Sequence, residues 1–286
     1  MPQHTIKHAV TAEGIGLHSG KNVKMVLQPA PENTGIVFRR HLDGKVVSLP
    51  MQYDRIVEAP MCTQLVYDDI RVSTTEHLMA AFAAMGVDNI YVDLDSAEVP
   101  VMDGSSAPFI FLLETAGLEA QVEAPRRHIK IMQPVRVEDD DKFAELLPYA
   151  KGYCLHITVD FPHPVIQATL QEVLFDFSRK AFVKSVSRAR TFGYVNQLEH
   201  LHNNNLALGA SLDNAVGITD QGILNPEGLR YKDEFVRHKL LDCIGDLYVA
   251  GPIRGMFRGH KMGHTLNNRL LRKLLANKES YEMFED

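Results

Sequence analysis

The chain has no tryptophan and only three cysteines, Cys62, Cys154 and Cys243, which lie far apart with no Cys-x-x-Cys pair. That usage excludes a zinc site built from cysteine and suits a reducing compartment. No stretch approaches the ~20 consecutive apolar residues of a membrane span. The opening run, Met-Pro-Gln-His-Thr-Ile-Lys-His, lacks the apolar segment of a secretory signal. A cytoplasmic protein without a membrane span is therefore expected. Excess positive charge is also missing: 30 Lys and Arg stand against 36 Asp and Glu, for a formal net charge of -6. The densest basic spots, Arg126-Arg127 and Arg269 to Lys273, are short, so a nucleic-acid binder that neutralises phosphates is disfavoured. No Gly-x-Ser-x-Gly elbow is present, which leaves serine hydrolysis without its anchor. Gly14 to Lys21 is glycine-rich but lacks the spacing of a phosphate loop, and Asn22 stands where Ser or Thr is needed. A glycine-rich strand connection fits it better.

What remains is an ordinary globular composition, 45% hydrophobic and 23% charged over 286 residues, long enough for two domains. Short β-branched runs such as Val23 to Leu27 and Gly35 to Phe38 predict strands early in the chain. Ser73 to Gly86 predicts a helix, with Leu78, Phe82 and Met85 at helical spacing and Gly86 as its stop. Its Ser73-x-x-Glu76 spacing fits a capping box. Asn89 to Leu94 reads as a strand, Glu98 to Pro108 as a turn-rich loop, and Phe109 to Ala116 as a helix stopped by Gly117. Pro125 to Arg127 is a plausible boundary. Strands are expected at His128 to Met132, Pro134 to Val137 and Gly152 to Asp160, then helices near Ser178 to Val186 and around Leu198 and Leu201. A helix over Asp233 to Ala250 ends at Gly251-Pro252. Gly255 to Gly259 then reads as a short strand, and a final amphipathic helix starts near His264. The two halves end alike: helix, glycine stop, strand, turn, helix. This hints at a duplicated βα unit whose facing helices meet at a seam.

Within the helix from Asp233, His238 and Asp242 are four residues apart and share one face. Alone, such a pair is commonly a surface hydrogen bond. His77, on the corresponding helix of the first half, completes a set of two imidazoles and one carboxylate, the ligand count of a catalytic zinc that keeps a position open. Glu76, beside a ligand, is placed to take a proton from water, although a plain capping role is the alternative. Asp246, one turn beyond Asp242, would orient a partner, His264 would act as acid or electrostatic stabiliser, and Thr191 would donate to an oxyanion. The same ligand count describes a non-haem iron oxygenase, and a binding protein with a structural metal is a further alternative.

Six motifs then converge. Glu13-Gly-Ile-Gly-Leu-His-Ser-Gly20, Ser73-Thr-Thr-Glu-His-Leu78, Val101-Met-Asp-Gly-Ser105, Ser187-Arg-Ala-Arg-Thr-Phe-Gly193, Glu234-Phe-Val-Arg-His-Lys-Leu-Leu-Asp242 and Gly263-His-Thr-Leu-Asn-Asn268 occur in order. Together they resemble the UDP-3-O-acyl-N-acetylglucosamine deacetylase family of lipid A biosynthesis, from about residue 5 to the C-terminus. The resemblance implies an α+β fold of two βα-sandwich domains of similar topology, packed face to face around the active site. The domains would cover 1–125 and 126–286, with an inserted acyl-passage segment near 193–214. It implies one zinc ion on His77, His238 and Asp242, with Glu76 as general base, His264 assisted by Asp246, and Thr191 at the oxyanion. Lys239 would line the substrate site. Phe161, Phe192, Lys142 and Lys261 would serve the nucleotide and glucosamine groups, and Leu198, Leu201 and Ala207 the acyl chain. The implied substrate is a UDP-linked acylated glucosamine, handled by a monomer in the cytoplasm of a Gram-negative type bacterium with transient inner-membrane contact.

Overall fold

The structure, a computed structural model, describes residues 1–285. It is a mixed α+β protein with seven α-helices among those residues: α1 (Glu76–Met85), α2 (Ala107–Ala116), α3 (Pro164–Gln167), α4 (Arg179–Ser185), α5 (Leu198–Asn203), α6 (Glu234–Leu247) and α7 (His264–Ala276). Among the described residues, strand pairing stays on one side or the other of Arg126. The first half builds a five-stranded sheet ordered Val10–Ile15, Asn22–Pro29, Ile90–Leu94, Ile36–Leu42, Lys45–Pro50. The second half builds a seven-stranded sheet around Ile253–His260, which runs antiparallel to Lys142–Leu147 and parallel to Tyr153–Thr158.

The repeat hinted at by the sequence has a topological basis. In the first half, α1 lies on the crossover between two parallel neighbours, Ile36–Leu42 and Ile90–Leu94. In the second half, α6 lies on the crossover between Tyr153–Thr158 and Ile253–His260, again parallel neighbours. A parallel connection needs such a covering helix, so each half presents one helix in an equivalent role. These two helices pack on each other: a Cβ at Gly245 of α6 would collide with the main-chain carbonyl of Glu76 at the start of α1. Glycine there is what permits the approach.

The α1 sequence suggested an apolar stripe. All ten of its residues are in fact buried, and the alanines between Leu78, Phe82 and Met85 are what let neighbours close on every side. Gly86 ends it at φ 73°, donating to the Phe82 and Ala83 carbonyls. The capping box is not formed. Ser73 belongs to strand Ile70–Ser73, where its hydroxyl accepts from Gln64 at 2.7 Å, and Glu76 is the first helical residue after the cap position Thr75. Thr74 just before it holds φ 58°, a conformation that non-glycine residues avoid. Gly255 to Gly259 is part of a longer strand, Ile253–His260. The glycine-rich run at Gly14 to Lys21 wraps a carboxylate of its own chain: the amides of His18 and Ser19 donate to Glu98 at 2.8 and 2.9 Å.

Candidate metal centre

The junction of α1 and α6 brings the histidines of the two halves together. His77 is the second residue of α1, and His238 and Asp242 occupy one face of α6. One ligand atom from each lies within 4.8 Å of the others, and all three residues are buried. Nε2 of His77 is 3.5 Å from Asp242 Oδ1, and Nε2 of His238 is 3.3 Å from the same oxygen. The rings meet edge to face with centroids 5.0 Å apart. His238 Nδ1 is 3.0 Å from the Ala189 carbonyl, which can only accept, so Nδ1 carries the proton and Nε2 offers its lone pair. Burial pushes the His238 pKa down to about 3, beyond what Asp242 restores, so this imidazole stays neutral. Burial would raise the Asp242 pKa, but the Lys239 ammonium on its other oxygen outweighs this and holds the carboxyl well below the usual range.

Asp242 Oδ1 is the telling atom. It is buried and makes no hydrogen bond, while Oδ2 accepts from Lys239 at 2.7 Å. A buried carboxylate oxygen left unpartnered is costly. Two imidazole nitrogens turned towards that oxygen form an N, N, O donor set that fits a divalent cation. These residues therefore suit the metal that the sequence pattern implied.

A second polar cluster adjoins the first. Glu76 is buried, and its Oε2 accepts from the Thr63 amide at 3.0 Å. Burial raises its pKa above the ordinary 4.5 despite opposition from His264 and His77. His264, the first residue of α7, places Nδ1 2.9 Å from Asp246 Oδ2. Asp246 also accepts from the Thr63 hydroxyl at 2.5 Å and from Asn267 at 2.8 Å. Burial works against a charged His264, but Asp246, then Glu76 and Asp242, hold its pKa up at about 9. The cluster thus carries an imidazolium at neutral pH.

The triad and, from the second cluster, Glu76 and His264 line one cavity of about 220 Å³, together with Thr191, Phe161, Phe192 and Lys239; Asp246 lies behind them. Thr191 is fixed by its main chain, donating to the Gly104 carbonyl at 2.9 Å and accepting from Val216 at 2.8 Å. Phe161 packs edge to face on Phe192 with centroids 5.4 Å apart, and Phe192 packs likewise on Phe235 at 4.9 Å. A second cavity, about 240 Å³ and walled mainly by apolar side chains, shares Thr191 and Phe192 with the first and receives Leu198, Leu201 and Ala207. The remaining two expected residues line neither cavity. Lys142 is exposed at a strand start, and Lys261 pairs with Asp141 at 2.5 Å and Asp160 at 3.1 Å.

Sequence reasoning missed Thr63, which braces Glu76 through its amide and Asp246 through its hydroxyl. It also missed Asn267 and the Ala189 carbonyl. The motif Gly263 to Asn268 pointed at Asn267. Nothing in the run Ala59-Pro-Met-Cys-Thr63 marks Thr63, and a main-chain carbonyl leaves no trace in residue type.

Fold and site together define a candidate metal centre: two imidazoles and a carboxylate gathered at a helix seam, with His264 and the buried Glu76 beside them. The family model for UDP-3-O-acyl N-acetylglycosamine deacetylase matches residues 3–276. A UDP-3-O-acyl-N-acetylglucosamine deacetylase from Shewanella sp. (strain ANA-3) is 51% identical over 283 residues, covering 98% of this chain and 92% of the relative. Relatives of the same name from Shewanella oneidensis and Shewanella baltica (strain OS155) are 51% and 50% identical with the same coverage. The chain belongs to the UDP-3-O-acyl-N-acetylglucosamine deacetylase family of lipid A biosynthesis.

Proposed function

We propose that the protein removes the N-acetyl group from a UDP-3-O-(3-hydroxyacyl)-N-acetylglucosamine, releasing acetate and a free-amine sugar, with one zinc ion held by His77, His238 and Asp242. The observation that carries this reading is the buried, unpartnered Asp242 Oδ1 facing two imidazole nitrogens, with Glu76 in the same cavity wall. Zinc in such a donor set supplies a Lewis acid for a carbonyl and brings the pKa of water to about 7.

The chain's own residues supply the rest. Glu76, made more basic by burial, accepts the proton of the attacking water. The His264 imidazolium, steadied by Asp246, is the acid for the departing amine and a positive charge beside the developing oxyanion. Thr191 offers its hydroxyl to the same oxyanion from the shared wall of the two cavities. Lys239 holds Asp242 in place and faces the Phe192 ring, its ammonium 6.0 Å from the centroid. Phe161 and Phe192 flank the sugar, and Leu198, Leu201 and Ala207 take the acyl chain. Lys142 and Lys261 meet the nucleotide phosphates outside the cavity, Lys261 by exchanging its present carboxylate partners.

We further read the chain as two domains, 1–125 and 126–286, with the segment near 193–214 inserted for the acyl chain; the partition of strand pairing at Arg126 supports the division. A cytoplasmic setting, with passing contact at the inner membrane, follows from the family's place in lipid A biosynthesis.

The test is mass-spectrometric detection of acetate loss from the UDP-linked substrate before and after chelation. Activity abolished by chelation and restored by zinc supports the proposal; activity that survives complete metal removal refutes it. Metal analysis of protein purified anaerobically without added metal separates zinc from iron(II).

A further inference from the structure

Three of the six motifs contain charged residues that the chemistry above leaves unused: Asp103, Arg190 and Glu234. They belong to one network, buried at Arg190 and Glu234 and half-buried at Asp103. Arg190 is 1% exposed and Glu234 0% exposed. Nε of Arg190 donates to Glu234 Oε1 at 2.9 Å, and so does its amide, also at 2.9 Å. Its Nη2 reaches Glu234 Oε2 at 3.2 Å and the Gly228 carbonyl at 2.7 Å, and its Nη1 reaches Glu227. Glu234 Oε2 also accepts from the Arg230 amide at 2.6 Å, and the Arg230 side chain pairs with Asp103 at 2.7 Å.

The position of this network is what gives it a consequence. Glu234 is the first residue of α6, one turn before His238. Arg190 lies between Ala189, whose carbonyl accepts a hydrogen bond from His238 Nδ1, and Thr191, in the cavity wall. Thr191 in turn donates to Gly104, next to Asp103. The guanidinium fork fixes Arg190 in two dimensions, as a planar bidentate donor does. Both of its neighbours are thereby held in place.

We propose that the Arg190–Glu234 pair is a positioning device that sets the metal ligand His238 and the oxyanion donor Thr191 as one unit. It acts through the Ala189 carbonyl on one side and the Thr191 main chain on the other. The inference rests on the proposed metal-dependent hydrolysis and adds residues to it.

Removing one partner alone leaves a buried charge unpaired and endangers the fold; replacing both by apolar residues removes the charges, at the cost of the hydrogen bonds that Glu234 accepts from the Arg190 and Arg230 amides. The informative variants are therefore the double substitution Arg190→Met with Glu234→Met, and the single Arg190→Lys, which keeps a cation but loses the fork. Each is measured for melting temperature, for cobalt affinity by competition with a chelating dye, for the visible absorption of the cobalt form, and for kcat and KM. The expected result is a metal affinity lowered about tenfold to a hundredfold, the range for losing a group that orients a histidine ligand. A shifted cobalt spectrum and a fall in kcat with little change in KM should accompany it. Wild-type affinity, spectrum and kcat in a folded variant overturn the inference; should the double variant not fold, Arg190→Lys decides alone. Failure of the underlying reading is distinguishable, since the unsubstituted protein would then bind no metal or release no acetate.

Discussion

The ligand triad and the Glu76–His264 cluster share one cavity, and they differ in how their polar atoms are satisfied. Asp242 Oδ1 and His77 Nδ1 are buried without hydrogen-bond partners. In the neighbouring cluster, Asp246 alone takes bonds from Thr63, His264 and Asn267, and Glu76 is held by the Thr63 amide. Among the described residues, only Asn267 Oδ1 of that cluster's buried side-chain atoms lacks a partner, and a buried network is the more stable the more of its members are paired. An unpaired carboxylate oxygen points to a group that the chain does not itself contain. The first cluster thus has a donor set that fits a cation, whereas the second ties its carboxylates and imidazole to one another and to Thr63.

Breaking the unsatisfied cluster should have the largest effect. Asp242→Ala removes the only carboxylate of the donor set, and turnover should fall ~10,000-fold or more, the scale of several kcal/mol of transition-state stabilisation from a metal. Metal content measured by plasma emission should fall with it; a variant that keeps one ion per chain contradicts the ligand assignment. Glu76→Gln comes next. It keeps the shape and the Thr63 contact but not the proton acceptor, so kcat should drop roughly 100- to 10,000-fold with metal retained.

His264 sharpens the contrast through pH. In the metal-free protein its pKa stands near 9 against an ordinary 6.5. A raised pKa means that the folded state favours the charged form. The stabilisation is therefore complete below pH ~6.5 and is lost as pH rises towards 9. Thermal unfolding of the metal-free protein should show this loss, and His264→Gln should flatten it. In the loaded enzyme kcat/KM should fall on the alkaline side, at a pH below 9 because a cation in the triad repels the imidazolium. In His264→Gln that alkaline limb should disappear while turnover drops ~100-fold; an unchanged limb assigns the proton to another group. The smallest effect belongs to Thr63→Val. The amide still holds Glu76, but Asp246 loses one donor, so stability should drop ~1–2 kcal/mol and kcat only severalfold. Denaturant unfolding and steady-state kinetics check this, and a loss as large as that of Glu76→Gln would make Thr63 a direct participant.

The same contrast explains how much was legible in the sequence. The triad could be read because helical geometry turns a four-residue spacing into a shared face, and because the halves end in the same order of elements. The two crossover helices, each between parallel strands, agree with that order of elements. The supporting cluster was only partly legible. Asp246 follows from one further turn of α6, but Thr63 reaches Asp246 across 183 positions of sequence, and no local pattern encodes that. The Ser73-x-x-Glu76 spacing suggested a cap, yet the strand ending at Ser73 removes its hydroxyl from the helix start. The cavity rather than the helix terminus receives Glu76. Likewise, the apolar spacing of α1 revealed its inward face but not the burial of its remaining sides, which depends on the approach of α6 at Gly245.

In the proposed reaction labour is divided, with three residues for the ion and Glu76 for the proton. Metal stoichiometry and turnover measured together on Glu76→Gln test it most directly. The expected result is one zinc per chain, bound with near wild-type affinity, and almost no acetate released. Loss of the metal would place Glu76 among the ligands, and retained turnover would show that the proton acceptor lies elsewhere.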